Sequence, residues 1–251
     1  VLILLSPAKN VNEERAAGRA ATTPRFLDEA EEIVSVARHW SDDEISQIMK
    51  VSSALAKLNR ERFSSWSRGG ECAAGLLFDG DVYKELELST FDAQALDLAS
   101  RRLRLLSGLY GLLRPTDGVQ AYRMEMGRRC PGHPAGTLYK FWGTKIARAI
   151  ADDARAIKTN IVLNLASEEY SKAVDPAALD DLTVISPRFE EERGGTRRVI
   201  GVSAKRARGA MARWVLHSDA SEAGDLHGFD VGGYVFDSEA SVENRPVFVR
   251  G

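Results

Sequence analysis

The sequence is poor in the residues that hold metals and covalent cross-links. Cys72 and Cys130 are the two cysteines among 251 residues and lack C-x-x-C spacing, so no disulfide framework is expected and the thiols are read as reduced. His39, His133, His217 and His227 form neither H-x-x-x-H nor H-E-x-x-H, which excludes the common zinc patterns and leaves no metal or cofactor to name. Long apolar runs are also missing. The run at residues 1–5 is too short for a signal core or a membrane span, and nothing later approaches about twenty apolar residues. A soluble, cytoplasmic protein without a membrane partner is the expectation. Charge of one sign is lacking too: the net charge is −2 and the isoelectric point near 6.2. The whole surface is therefore no general attractor of nucleic acid, and anion binding has to be local. No P-loop, no G-x-G-x-x-G and no G-x-S-x-G occurs, which removes the usual nucleotide-hydrolase, dinucleotide and esterase signatures.

What is present is a mixed pattern of helices and strands. Residues 1–5 read as a buried strand, and residues 26–40 as an amphipathic helix with Phe26, Ala30, Ile33, Val34 and Ala37 on one face. Ser41 to Glu44 matches a capping box that opens the next helix. Residues 53–66 present Leu55, Leu58, Phe63 and Trp66, residues 91–106 continue the helical theme, and residues 139–150 form another helix. Strands are expected at 160–165, 182–189, 197–202, 231–236 and 246–249, with a helix at 204–217 between them. No linker separates these segments. The expectation is one domain over residues 1–251, α/β or mixed α+β, with a mixed sheet flanked by helices and the first strand joining a later sheet.

Four polar constellations carry the chemistry. Ser6 and Lys9 follow the first strand. Asp79, Gly80 and Asp81 make a tight turn before Val82 and Tyr83. Asn164 to Lys172, with Ser167 and Glu169, follows a second strand, and such strand-to-loop ends are where open α/β sheets place ligands. The helix at 204–217 sets Ala207, Ala210, Met211, Trp214 and Val215 on one arc, with Lys205, Arg206, Arg208 and Arg213 opposite and Gly209 among the basic residues. A missing side chain there lets a phosphate or a neighbouring backbone come close. If Lys9, Arg123, Ser167, Lys172, Lys205 and Arg208 meet, the pocket is cationic and favours phosphate or carboxylate. Asp81, Glu125 and Glu169 then stand as acids, bases or metal ligands, or as plain salt-bridge partners.

Taken in order, these motifs resemble a known family. Ser6-Pro7-Ala8-Lys9, Gly80-Asp81-Val82-Tyr83, the run from Leu103 to Pro115, Tyr122-Arg123-Met124-Glu125-Met126-Gly127, Asn164 to Lys172, Ala204 to Gly209 and Gly233 to Asp237 are similar to the YaaA family of peroxide stress resistance proteins. The resemblance covers nearly the whole chain. It implies a bacterial protein of one unusual α/β fold that restrains damage by free iron and binds double-stranded or branched DNA. Ser107, Gly108 and Gly111, with Arg114 beyond them, look like a helix-hairpin-helix turn whose N–H groups hold a DNA phosphate. Two residues depart from the family pattern: Asn10 stands where Thr is expected and Glu85 where Gly is expected.

Two functional classes stay open at this point. One is a DNA-binding stress protein using the Gly108–Gly111 turn together with Lys205, Arg208 and Arg213. The other is an enzyme acting on a phosphorylated or nucleotide-like small molecule, with Lys9, Glu125 and Lys172 as catalytic candidates and Ser6, Arg123, Ser167, Lys205 and Arg208 around the anion. An enclosed pocket favours the second; a wide basic groove favours the first.

Overall fold

The buried run Leu2–Leu5 (β1) is the middle strand of a sheet, and its unbroken apolar sequence follows from having neighbours on both edges and cover on both faces. The computed structural model describes residues 1–179, 181–218 and 220–251. Among them, β1 is joined by Leu103–Ser107 (β2), Gly111–Leu113 (β3), Ile161–Asn164 (β4) and Thr183–Ile185 (β5) in the order β3-β2-β1-β4-β5. β1 pairs parallel with β2, Ile3 facing Leu103, and with β4, Leu2 facing Val162. β5 runs parallel to β4, and β3 turns back antiparallel on β2. A second sheet holds Arg188–Arg193 (β6), Thr196–Arg198 (β7), Val235–Val242 (β8) and Arg245–Arg250 (β9) in the order β7-β6-β9-β8. A single continuous apolar core links the two sheets, from Leu2 through Trp142 to Phe248.

The helices are Leu27–Ala37 (α1), Asp42–Met49 (α2), Ser53–Ser65 (α3), Asp81–Leu86 (α4), Ala93–Arg102 (α5), Lys145–Ala156 (α6) and Gly201–His217 (α7), with shorter turns between them. α1 buries Ala30, Ile33, Val34 and Ala37 as its periodicity predicts. The capping box is formed: Ser41 Oγ accepts the Glu44 N–H at 3.2 Å and Glu44 Oε2 accepts the Ser41 N–H at 2.8 Å. No helix of the described residues is long and apolar enough to cross a membrane.

Several expected boundaries are corrected. Residues 139–150 are broken by Gly143 at φ +47° into a turn, Leu138–Trp142, and α6. On α3, Leu55 and Leu58 are 38% and 39% exposed, and Ala56, Asn59 and Phe63 form the buried face instead. Residues 182–189 divide at Ser186 and Pro187 into β5 and β6, which belong to different sheets. The strand expected at 197–202 stops at Arg198 because α7 begins at Gly201. The one expected at 231–236 opens as a 3-10 turn through Gly232 and Gly233 before β8.

The largest correction concerns the central run. α5 ends at Arg102, and Leu103–Ser107 leaves the helix to pair with β1, so Ser107–Gly111 is a β-hairpin turn and not a helix-hairpin-helix. Its groups are committed inward. Ser107 Oγ accepts the Tyr110 N–H at 2.8 Å, and Gly108 C=O accepts the Trp142 indole N–H at 3.0 Å. A Cβ on Gly108 would lie 2.3 Å from Met124 O, and Gly111, at φ +67°, is roofed by the Trp142 ring. The turn is buried by protein, which is why Ser107, Gly108 and Gly111 have no face to offer a DNA phosphate.

Candidate functional site: a cavity at the strand ends

Because β1 and β4 are adjacent and parallel, the loops that follow them leave the sheet side by side. Leu165 N–H continues the ladder to Leu4 C=O at 3.0 Å. Two residues further, Ser6 Oγ accepts the Ser167 N–H at 2.8 Å and stands 3.1 Å from Ser167 Oγ, to which it donates. The third wall comes from the start of α4. Asn10 and Val11 pair with Asp79 and Phe78, and the Tyr83 hydroxyl donates to Ser6 C=O at 2.9 Å. The fourth is α7. A Cβ on Gly209 would lie 2.0 Å from Val82 O, so α7 rests directly on α4 at that glycine and carries Lys205 and Arg208 to the cavity. The close neighbour of Gly209 is thus backbone. Tyr122 to Glu125 closes the remaining side. The cavity holds about 440 Å³, within the usual range for a small-molecule site.

The charges around it are unevenly matched. Four carboxylates border the cavity and each has a partner: Asp79 with Arg15 at 3.5 Å, Asp81 with Arg206 at 3.9 Å, Glu125 with Arg123 and Arg128 at 3.2 Å each, and Glu169 with the Gly127 N–H at 3.0 Å. Four cations border it as well: Arg123 is held by Glu125, whereas among the described residues Lys9, Lys205 and Arg208 have no hydrogen bond or ion pair. Arg208 is half-buried, and burial pulls its guanidinium below the ordinary arginine value. Burial pushes the Glu125 carboxyl up, but Arg128 and Arg123 outweigh it and hold it below the usual glutamate range. Glu125 is therefore a fixed anion that orients Arg123. Tyr83, Tyr122 and Tyr170 line the floor, and burial raises all three phenols, so they remain neutral.

Comparison with known proteins assigns this arrangement to a lineage. The family model for peroxide stress protein YaaA matches residues 1–240. The chain belongs to that family. A UPF0246 protein of Ruegeria sp. (strain TM1040) is 68% identical over 251 residues, covering both chains completely. A UPF0246 protein of Cereibacter sphaeroides is 44% identical over 258 residues, covering 100% of this chain and 99% of its own. One from Maricaulis maris is 43% identical over 254 residues, covering 100% and 96%.

Of the residues singled out in this YaaA family member, Ser6, Lys9, Arg123, Glu125, Ser167, Lys205 and Arg208 border the one cavity. The others do not. Lys172 lies outside it, 61% exposed and paired with Glu168 at 2.9 Å. Arg213 donates to Leu86 C=O at 3.0 Å, Glu87 C=O at 3.3 Å and Thr90 Oγ1 at 3.0 Å, and its guanidinium covers the Phe91 ring. It clamps the end of α4. Arg114 borders a separate shallow depression beside Arg104 and Asp153. Ser107 stands behind the cavity wall, hydrogen-bonded to the Tyr122 hydroxyl. Asn10 borders the cavity, whereas Glu85 lies at the α4–α7 contact near Gly209 and Arg206. Sequence reasoning passed over Arg128. Its signal was the three-residue spacing from Glu125, which the structure turns into the second arm of the carboxylate clamp.

Proposed function

We propose that this peroxide stress family member binds a phosphate-bearing small molecule in the cavity, and that limiting free-iron damage is the downstream consequence of that binding. One observation carries the reading: every bordering carboxylate has a partner while, among the described residues, Lys9, Lys205 and Arg208 have none. Gathering unpaired cations is unfavourable through mutual repulsion and, at Arg208, desolvation; a bound anion offsets both. Arg123 extends the anion site. Of the catalytic candidates, Lys9 is the one placed to touch the ligand; Glu125 acts through Arg123, and Lys172 through neither.

The cavity's size supports a small ligand over a duplex, whose major groove alone is about 12 Å wide. Two of the supports for the DNA reading are also engaged elsewhere, the Gly108–Gly111 turn in the core and Arg213 at the end of α4. Calorimetric titration with inorganic phosphate and a duplex of mixed sequence, on the parent and on Arg208→Gln, separates the two. Phosphate should bind the parent and lose about tenfold or more in the variant, the worth of one charge-assisted hydrogen bond. Strong duplex binding with a steep salt slope, and no response to phosphate, would replace this reading by the DNA one.

A further inference from the structure

Within the cavity the free cations and the aromatic rings come from different elements. Lys9, Lys205 and Arg208 supply the charge. The floor is built from Phe78, Tyr83, Tyr122 and Tyr170, with Phe78 5.4 Å from Tyr83 and 6.3 Å from Tyr122 between ring centroids. Its hydroxyls at Tyr83 and Tyr122 are already engaged. Tyr83 hydroxyl donates to Ser6 C=O and Tyr122 hydroxyl is bonded to Ser107 Oγ.

Resting on the phosphate reading above, we infer that the ligand is a nucleoside monophosphate, its phosphate among the three cations and its base against the aromatic floor. Two matches argue for this class. A phosphate monoester carries about −1.5 to −2 charge at neutral pH, which three unpaired cations offset in full, whereas a triphosphate overruns them. A floor whose Tyr83 and Tyr122 hydroxyls are committed has little to offer the ring of hydroxyls on a sugar, and buried hydroxyls left without partners weaken binding strongly. A flat base asks less: its faces are apolar and its polar atoms lie at the edge. Ser167 meets that edge. Its Oγ accepts from Ser6, which leaves its own hydrogen free to donate.

The test is a calorimetric series on the full chain with inorganic phosphate, ribose 5-phosphate, AMP and ATP. AMP should bind about 10- to 100-fold more tightly than ribose 5-phosphate, the range expected for stacking one base, and ATP no more tightly than AMP. Arg208→Gln should weaken phosphate and AMP by a similar factor, because both lose the same contact. Equal affinity for ribose 5-phosphate and AMP overturns the base subsite and leaves the phosphate reading standing. Tighter binding of ATP than AMP overturns the monoester assignment. If none of the four binds at millimolar concentration, the phosphate reading itself falls, and the base subsite with it.

Discussion

Arg208 and Glu125 show how single residues divide the work of the site. Arg208 is half-buried and unpaired, so replacing it by Gln removes desolvated charge and leaves no broken ion pair behind. We expect Arg208→Gln to unfold at the same or a higher urea concentration than the parent without ligand, while its ligand affinity falls. A large loss of stability would assign Arg208 a structural partner. Glu125 behaves oppositely. Its folded carboxyl is held below the ordinary value by Arg128 and Arg123 against the pull of burial, so its contribution is fully present above about pH 4.3 and is lost as pH falls through the depressed folded value. Glu125→Gln should cost on the order of 2 kcal/mol at pH 7 and flatten the acid limb of the stability curve below about pH 4.3. Urea titrations from pH 3 to pH 8 read both effects, and an unchanged acid limb would remove Glu125 from the ion-pair role. In the sequence, Arg208 and Arg213 share one helix face and look alike. They differ only because the carbonyls at the end of α4 reach one of them, and that is a fact of packing.

Between elements, the decisive contact is α7 on α4 at Gly209. A methyl there meets Val82 O at 2.0 Å, so Gly209→Ala should destabilise by about 1–3 kcal/mol through overpacking and weaken ligand binding by displacing Lys205 and Arg208. Gly201→Ala is the control: it lies at the start of the same helix with open space around it, and should be neutral or slightly stabilising. If thermal melts show Gly209→Ala equal to Gly201→Ala, the two helices do not depend on that contact. The same scale explains what was legible. β1 could be read because five apolar residues in a row suit a strand with neighbours on both sides, and α2 because its cap is written in Ser41 and Glu44. β2 could not, because Leu103, Leu105 and Leu106 suit a buried helix as well as a strand. Only the partner strand, a hundred residues earlier, decides between them. The hairpin was misread for the same reason. Gly108→Val should therefore lower the melting temperature whether or not DNA is present, since its Cβ would meet Met124 O in the core.

Across the whole molecule the net charge is −2, and at one cavity, among the described residues, three cations stand without a partner while the bordering carboxylates have theirs. Much of that cavity was legible before the fold was known: Ser6, Lys9 and Ser167 follow expected strands, and Lys205 and Arg208 share one face of an expected helix. The pairing of its carboxylates was not, because Arg15 with Asp79 and Arg206 with Asp81 meet only after folding. A ligand that binds the folded chain alone stabilises it by about 2.7 kcal/mol at a hundredfold excess over its Kd. In a chain of this size that is a rise in Tm of roughly 5–10 °C. Millimolar phosphate monoester should produce such a rise in the parent and a smaller one in Lys9→Ala, whose melting temperature without ligand should be unchanged or higher. The most direct measurement is a crystal structure of the protein with AMP at saturating concentration. The account predicts a phosphate with its oxygens about 2.7–3.1 Å from Lys9, Lys205 and Arg208 nitrogens; density for AMP elsewhere on the surface, with this cavity holding none, would contradict it.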